Sequence, residues 1–258
     1  MKSSGERKAI GIVGGVGPFA GLDLNQKIFQ STRAAREQDH LEVYLLSCSS
    51  LIEDRTEYLL HQETTENPGY AIYGVIEKLS RIGAEVVGIP CNTSHSPPIL
   101  EVVERAIVKS RLPVTFVHMI RETCRFVRMN HPDASRVGLL ATLGTYHSGV
   151  YSDVFRRESG IEVLVPPPDS RRRVHSAIYD PEYGIKNHPN PIRKEAVTAL
   201  SEVGAELVRS GAHAVIMGCT EIPLALRPVQ LGVPRIDTTL VLARALIERA
   251  APEALLPL

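Results

Sequence analysis

Charge of one sign is what this sequence most plainly lacks. Its 258 residues carry 29 basic and 29 acidic side chains, for no formal net charge. A nucleic-acid partner is therefore not expected, because phosphate neutralisation normally shows as a basic excess or stripe. Long apolar runs are also missing: nothing approaches the roughly 18 consecutive apolar residues of a membrane span, so no membrane partner is expected. Residues 1–8 are polar and lead directly into a strand-like segment, which reads as no secretory signal. Cysteine is scarce. The four at 48, 91, 124 and 219 form neither a CxxC pair nor a dense framework, which suits a reducing cytoplasm. What remains, 43% hydrophobic and 22% charged residues, is the composition of a folded chain of one or two domains.

The apolar residues are arranged in short blocks. Strand-length runs at residues 9–13, 42–48, 86–90, 114–117, 136–141, 163–166 and 214–217 alternate with helical patterns at 70–81, 151–158, 192–210 and 240–250. In the first of these helices Ile72, Val75, Ile76 and Leu79 fall three or four apart. Strands alternating with helices predict an α/β fold of parallel sheets covered on both faces.

An internal echo divides that pattern in two. Gly83-Ala84 opens a segment ending Cys91-Asn92-Thr93, and Gly211-Ala212 opens one ending Cys219-Thr220-Glu221; both pairs stand 128 residues apart. Two similar α/β halves, each presenting a thiol at the C-terminal end of a buried strand, explain it. In open parallel sheets that end is where ligands bind. A single cysteine reads more simply as core packing, as Cys48 and Cys124 do here.

Other motifs suit the binding of a small anion. Gly15-Val16-Gly17-Pro18-Phe19-Ala20 has the shape of a dinucleotide turn opening a helix. However, the next strand ends Leu46-Ser47-Cys48-Ser49, with no acid for a ribose, so the Gly15 turn fits a carboxylate better than NAD. Cys91 precedes a helix starting near Pro97-Pro98, a setting that favours thiolate character. Asn92 and Thr93 offer polar groups to a ligand, and His95 is placed to tune the thiol or to bond backbone. Glu221 stands at a second strand-to-helix junction, where a helix dipole favours it. Arg55 suits a carboxylate clamp, and Thr142 and Thr145 line a strand-end loop. Zinc is a poor fit, since Cys91, His95 and Cys219 find no fourth ligand at a usual spacing. A Cys-His hydrolase would have no use for the second cysteine.

Taken together, Gly14-Gly15-Val16-Gly17-Pro18, Asp54-Arg55-Thr56, Pro90-Cys91-Asn92-Thr93, Leu139-Leu140-Ala141-Thr142, Gly218-Cys219-Thr220-Glu221-Ile222-Pro223 and Ile236-Asp237 resemble the aspartate/glutamate racemase superfamily, in its aspartate racemase-like branch, over nearly the whole chain. The resemblance implies two pseudo-symmetric Rossmann-like domains with an active-site cleft between them. It also implies an isomerase: a racemase of amino acids or dicarboxylates, aspartate or glutamate first, that is independent of pyridoxal phosphate and of any other cofactor. Cys91 and Cys219 would act as thiolate and thiol on opposite faces of the α-carbon. Arg55, Asn92, Thr93, Thr142 and Thr220 would hold the substrate, in a cytoplasmic homodimer.

One departure bears on the substrate. Aspartate-specific members tend to carry a lysine shortly before a glycine in the segment after Ile-Tyr. Here Tyr183 falls near that position and Lys186 lies beyond Gly184. A broad-specificity or non-acidic racemase, or a related isomerase, therefore stays open, as more remotely does a non-catalytic carboxylate-binding protein. The halves are expected at about residues 1–115 and 116–224, with the C-terminal segment 225–258 packing back on the first.

Overall fold

The structure is a computed structural model that describes residues 7–258 apart from 62, 64 and 228. Most of the polar stretch at residues 1–8, where no secretory signal was read, lies outside the described residues.

Two four-stranded, all-parallel sheets organise the chain. The first has the order β2-β1-β3-β4, formed by β2 (Val43–Ser47), β1 (Ile10–Gly14), β3 (Val86–Gly88) and β4 (Thr115–Val117). The second repeats it as β6-β5-β7-β8, with β6 (Glu162–Leu164), β5 (Arg136–Ala141), β7 (Ala214–Gly218) and β8 (Arg235–Asp237). The inner strands β1, β3 and β7 are buried at every residue, which is why their sequences read as unbroken apolar runs and not as alternation.

Helices start where the side chains satisfy free backbone amides. Proline opens α1 (Pro18–Ser31), α3 (Pro68–Arg81) and α4 (Pro97–Ser110), at the one turn where its missing N–H costs nothing. Asp54 caps α2 (Arg55–Leu60), accepting the amides of Thr56 at 2.7 Å and Glu57 at 3.0 Å. Asp237 caps α11 (Thr238–Ala250) in the same way, at 3.0 Å from the amides of Thr239 and Leu240. The second half is covered by α5 (Met119–Asn130), α6 (Leu143–Ser148), α7 (Val150–Glu158), α8 (Pro168–Tyr179), α9 (Lys194–Arg209) and the five-residue α10 (Ile222–Leu226).

The boundaries expected from the sequence need two changes. A division at 115/116 cuts through β4, which completes the first sheet by pairing with β3. The segment 225–258 does not return as a unit either. Its β8 pairs with β7 at the edge of the second sheet, while α11 sends Leu242, Leu246 and Ile247 into the core beneath β1. Two ion pairs fasten this crossing: Lys27 of α1 lies 2.5 Å from Asp23 and 2.7 Å from Asp237, the residue joining β8 to α11. A lysine between two carboxylates satisfies the charge that burial would otherwise penalise.

Candidate active site

In each sheet the chain leaves the first strand toward one edge and the third toward the other, so β1/β3 and β5/β7 are the points where strand order reverses. Cys91 follows β3 and Cys219 follows β7, equivalent positions at the two places where open α/β sheets bind ligands. Each cysteine is 7% exposed. The residues following each thiol reach across to the opposite half.

The first thiol's loop does so through hydroxyls. Thr93 Oγ1 lies 3.2 Å from Thr142 Oγ1 and 2.9 Å from Thr145 Oγ1, and Thr56 donates to Thr142 at 3.3 Å. Four buried threonines, two from each half, thus share hydrogen bonds at the seam. Helices α2 and α6 meet there closely enough that a β-carbon on Gly144 would stand 2.8 Å from the Thr56 Cα. The second thiol's loop crosses through Glu221, whose carboxylate lies against the Gly17 turn: a β-carbon there would be 2.8 Å from Oε1, and the backbone has φ +112°. Only glycine accommodates both the angle and the contact.

Electrostatically the two sulfurs differ. Arg55, the first residue of α2, lies close enough to Cys91 for the sulfur to act on its charge. It is 6% exposed, donates to the Glu53 carbonyl at 3.1 Å and has a buried Nε with no partner. Burial alone would lower this guanidinium, but Cys91 and Asp54 outweigh it and raise it. Cys219, by contrast, donates to Glu221 Oε2 at 2.9 Å, and Thr220 Oγ1 donates to the same oxygen at 3.0 Å. Burial pushes the Cys219 thiol well up, and the Glu221 carboxylate pushes it further.

Several expected residues sit differently from what their spacing suggested. Cys91 is not at the mouth of a helix: a 3-10 turn (Thr93–His95) intervenes, and α4 starts only at Pro97, because proline is tolerated at the first helical position and not further in. Positive charge reaches the thiol from Arg55 instead. His95 does not face the sulfur. Its Nε2 accepts the Met119 amide at 3.2 Å, which leaves the hydrogen on Nδ1 to donate to the Cys91 carbonyl at 2.9 Å. Complete burial lowers this imidazole to about 4, so it is neutral at physiological pH. Asn92 is largely committed, giving Nδ2 to Thr238 at 3.3 Å and receiving the Tyr151 hydroxyl on Oδ1 at 2.5 Å; it braces the seam. Gly15 serves a close approach, for a β-carbon would meet the Ser49 amide at 2.5 Å. Glu221 caps nothing, α10 being a single short turn.

Of Tyr183 and Lys186, it is Lys186 that the fold brings to the seam. The chain after α8 doubles back, with Ile185 and Lys186 amides bonded to the Ala177 and Ile178 carbonyls at 3.0 and 3.1 Å. Lys186 Nζ then reaches Tyr179 Oη at 3.0 Å and Asp54 at 3.8 Å, and its charge is felt by Cys219. Burial disfavours that charge, but Glu221 and Tyr179 outweigh it and raise the amine. Tyr183 packs against the apolar core of the second half. No spacing rule pointed to Asp54, Thr56 and Tyr179, although the first two flank Arg55 in the quoted motif; Tyr179 donates to Asp54 at 3.0 Å across the seam. Among the described residues no group of three or more His, Cys, Asp or Glu side chains comes together as a metal would need.

Comparison with known proteins supplies the family. Residues 13–246 match the family described as Asp/Glu/Hydantoin racemase. The chain is 26% identical over 246 residues to the broad specificity amino-acid racemase RacX of Bacillus subtilis (strain 168), covering 92% of this chain and 96% of that protein. Among solved structures, the Picrophilus torridus aspartate racemase superposes with a TM-score of 0.75 at 28% identity, covering 94% of each chain. An aspartate racemase homologue from Pyrococcus horikoshii OT3 gives 0.69 at 26% identity, covering 94% of this chain and 99% of that one.

Proposed function

The chain belongs to the Asp/Glu/hydantoin racemase family, and from that premise we propose that it racemises an amino acid by a two-cysteine, cofactor-independent mechanism. The observation that carries this reading is the placement of Cys91 and Cys219 at equivalent strand ends on one seam, one beside a cation and the other donating to a carboxylate. Inverting a carbon centre requires a base on one face and an acid on the other at the same time.

In the proposed cycle the Cys91 thiolate takes the α-hydrogen as a proton, leaving its electron pair on the α-carbon. The Cys219 thiol delivers its proton to the opposite face. The product leaves with inverted configuration, Cys91 as thiol and Cys219 as thiolate, and exchange with water restores the starting state. Acid–base catalysis of this kind supplies about 10²–10⁴-fold. Much of the rest must come from donors aimed at the carboxylate where charge develops. The hydroxyls of Thr56, Thr93, Thr142 and Thr145 now satisfy one another and are free to turn their hydrogens to such a carboxylate. The unpartnered Nε of Arg55 is a further donor. Thr220 is already engaged with Glu221 and so supports the acid more directly than the substrate.

Two cations near the thiols, Arg55 and Lys186, favour an acidic amino acid such as aspartate or glutamate. A second reading rests on Lys186 being committed to Tyr179 and Asp54: a site that neutralises its own lysine accepts uncharged side chains too, giving a broad-specificity racemase. A cytoplasmic homodimer completes the proposal, and light scattering of the purified protein checks the dimer. The decisive experiment follows loss of optical purity for each common L- and D-amino acid with wild type, Cys91→Ala and Cys219→Ala. Racemisation by wild type and its loss in both variants is expected; full activity in either variant overturns the mechanism.

A further inference from the structure

One buried carboxylate at the seam neither takes nor gives a proton in the cycle above. Glu221 is 5% exposed, and one oxygen accepts both the Cys219 thiol and the Thr220 hydroxyl. The other oxygen is walled in by the Gly17 turn from the opposite half. A carboxylate that accepts a thiol's hydrogen at 2.9 Å favours the state in which that hydrogen stays on sulfur, because a thiolate there would face a like charge. The remaining ionisable groups around this thiol are Lys186 after α8, Tyr146 on α6 and Tyr151 on α7, with Arg55 of α2 acting on Lys186 from the first half. Of these only Lys186 is positive and felt directly, and it opposes Glu221.

Resting on the two-cysteine reading, we propose that Glu221 is a positioning residue that holds the hydrogen on Cys219 between turnovers, so that the second half begins each cycle as proton donor. After a turnover from the Cys91 side, the Cys219 thiolate stands beside the Glu221 carboxylate. Repulsion drives it to take a proton from water, while Cys91 releases one to water, and the resting state returns. The enantiomer whose α-hydrogen faces Cys91 meets a prepared protein; its mirror image needs the minority state. The overall equilibrium between enantiomers is untouched.

The test follows each thiol separately. Iodoacetamide alkylation is measured against pH in wild type, Glu221→Gln and Glu221→Asp, with the Cys91 and Cys219 peptides quantified by mass spectrometry. Removing the charge in E221Q is expected to bring the Cys219 profile down by about one pH unit, a tenfold rise in alkylation on the rising limb, with Cys91 as internal reference. E221D, whose shorter carboxylate stands off the sulfur, should fall between the two and serves if E221Q does not fold. The alkaline limb of kcat/KM should move with the Cys219 profile, which a merely structural role for Glu221 would not cause. An unchanged Cys219 profile in folded E221Q or E221D overturns the proposal. Alkylation needs no turnover, so a wild type without racemase activity whose Cys219 profile still shifts would sink the function and leave the thiol–carboxylate coupling standing.

Discussion

Position for position, the loops after Cys91 and Cys219 start alike and end differently. One residue on, Asn92 braces the seam through Thr238 and Tyr151, whereas Thr220 donates to its neighbour's carboxylate. Two residues on, Thr93 joins a cluster of neutral hydroxyls, whereas Glu221 takes the hydrogen of the thiol itself. The first loop's titratable side chain, His95, turns to backbone; the second loop's turns to sulfur. Two sheets of one topology thus hold their thiols in opposite charge surroundings. The backbone repeat brings two sulfurs to one seam, where the first lies beside the Arg55 cation and the second against the Glu221 carboxylate.

Removing either sulfur should break this comparison most severely. Cys91→Ala and Cys219→Ala are each expected to lower racemisation by about 10³-fold or more, since the two groups act as a unit and the loss of either removes inversion. Wash-out of the α-hydrogen into D₂O separates them: each variant should retain exchange for only the enantiomer that presents its hydrogen to the surviving thiol. Chiral chromatography together with proton NMR checks both outcomes.

Next comes His95, which gives the first loop a stability that falls in acid. Its imidazole is neutral when folded, held at about 4 by burial, against about 6.5 in the unfolded chain. Above 6.5 neither state is protonated and nothing is lost. As pH falls from 6.5 toward 4 the unfolded state alone binds the proton, and stability drops by about 3 kcal/mol. His118, its ring tilted against that of His95 with centroids 4.8 Å apart and pushed down chiefly by burial, acts in the same direction. Urea unfolding at pH 7 and pH 4.5 should show a smaller difference in His95→Gln than in wild type; equal differences would contradict the neutral, buried assignment.

Arg55→Lys tests the positive side of the comparison. Lysine keeps the charge but loses the planar fork and the Nε donor, so a weakening of kcat/KM by about 10–100-fold is expected, matching the roughly 1.5–3 kcal/mol of a charge-assisted hydrogen bond. Steady-state kinetics on the best substrate check it, with most of the change in KM.

The fold was largely readable because its strands are buried on both faces and stand out as apolar blocks, and because Gly-Ala and Cys recur at one interval. Short β8 escaped, since three residues ending in the charged cap Asp237 carry no block of their own, and with it went the correct place of segment 225–258. At the site the cysteines, Arg55 and the threonines were legible as residue types at strand ends. Their partners were not: that His95 faces backbone, that Lys186 and not Tyr183 reaches the seam, and that Tyr179 meets Asp54 are outcomes of how turns fold back, which linear spacing does not encode.

The finest test concerns Thr220, whose hydroxyl shares one Glu221 oxygen with the Cys219 thiol. While Thr220 donates, part of the carboxylate's charge is engaged and its pull on the thiol hydrogen is reduced. Thr220→Val removes that donor and leaves Glu221 a better acceptor for sulfur. The Cys219 alkylation profile should therefore move to higher pH, opposite in sign to E221Q, by a few tenths of a unit, which at 1.36 kcal/mol per unit is less than about 1 kcal/mol. Thr220→Ser keeps the hydroxyl and should leave the profile in place. A downward shift in Thr220→Val would mean that the hydroxyl serves the thiol directly and that the carboxylate is not what distinguishes the second sulfur from the first.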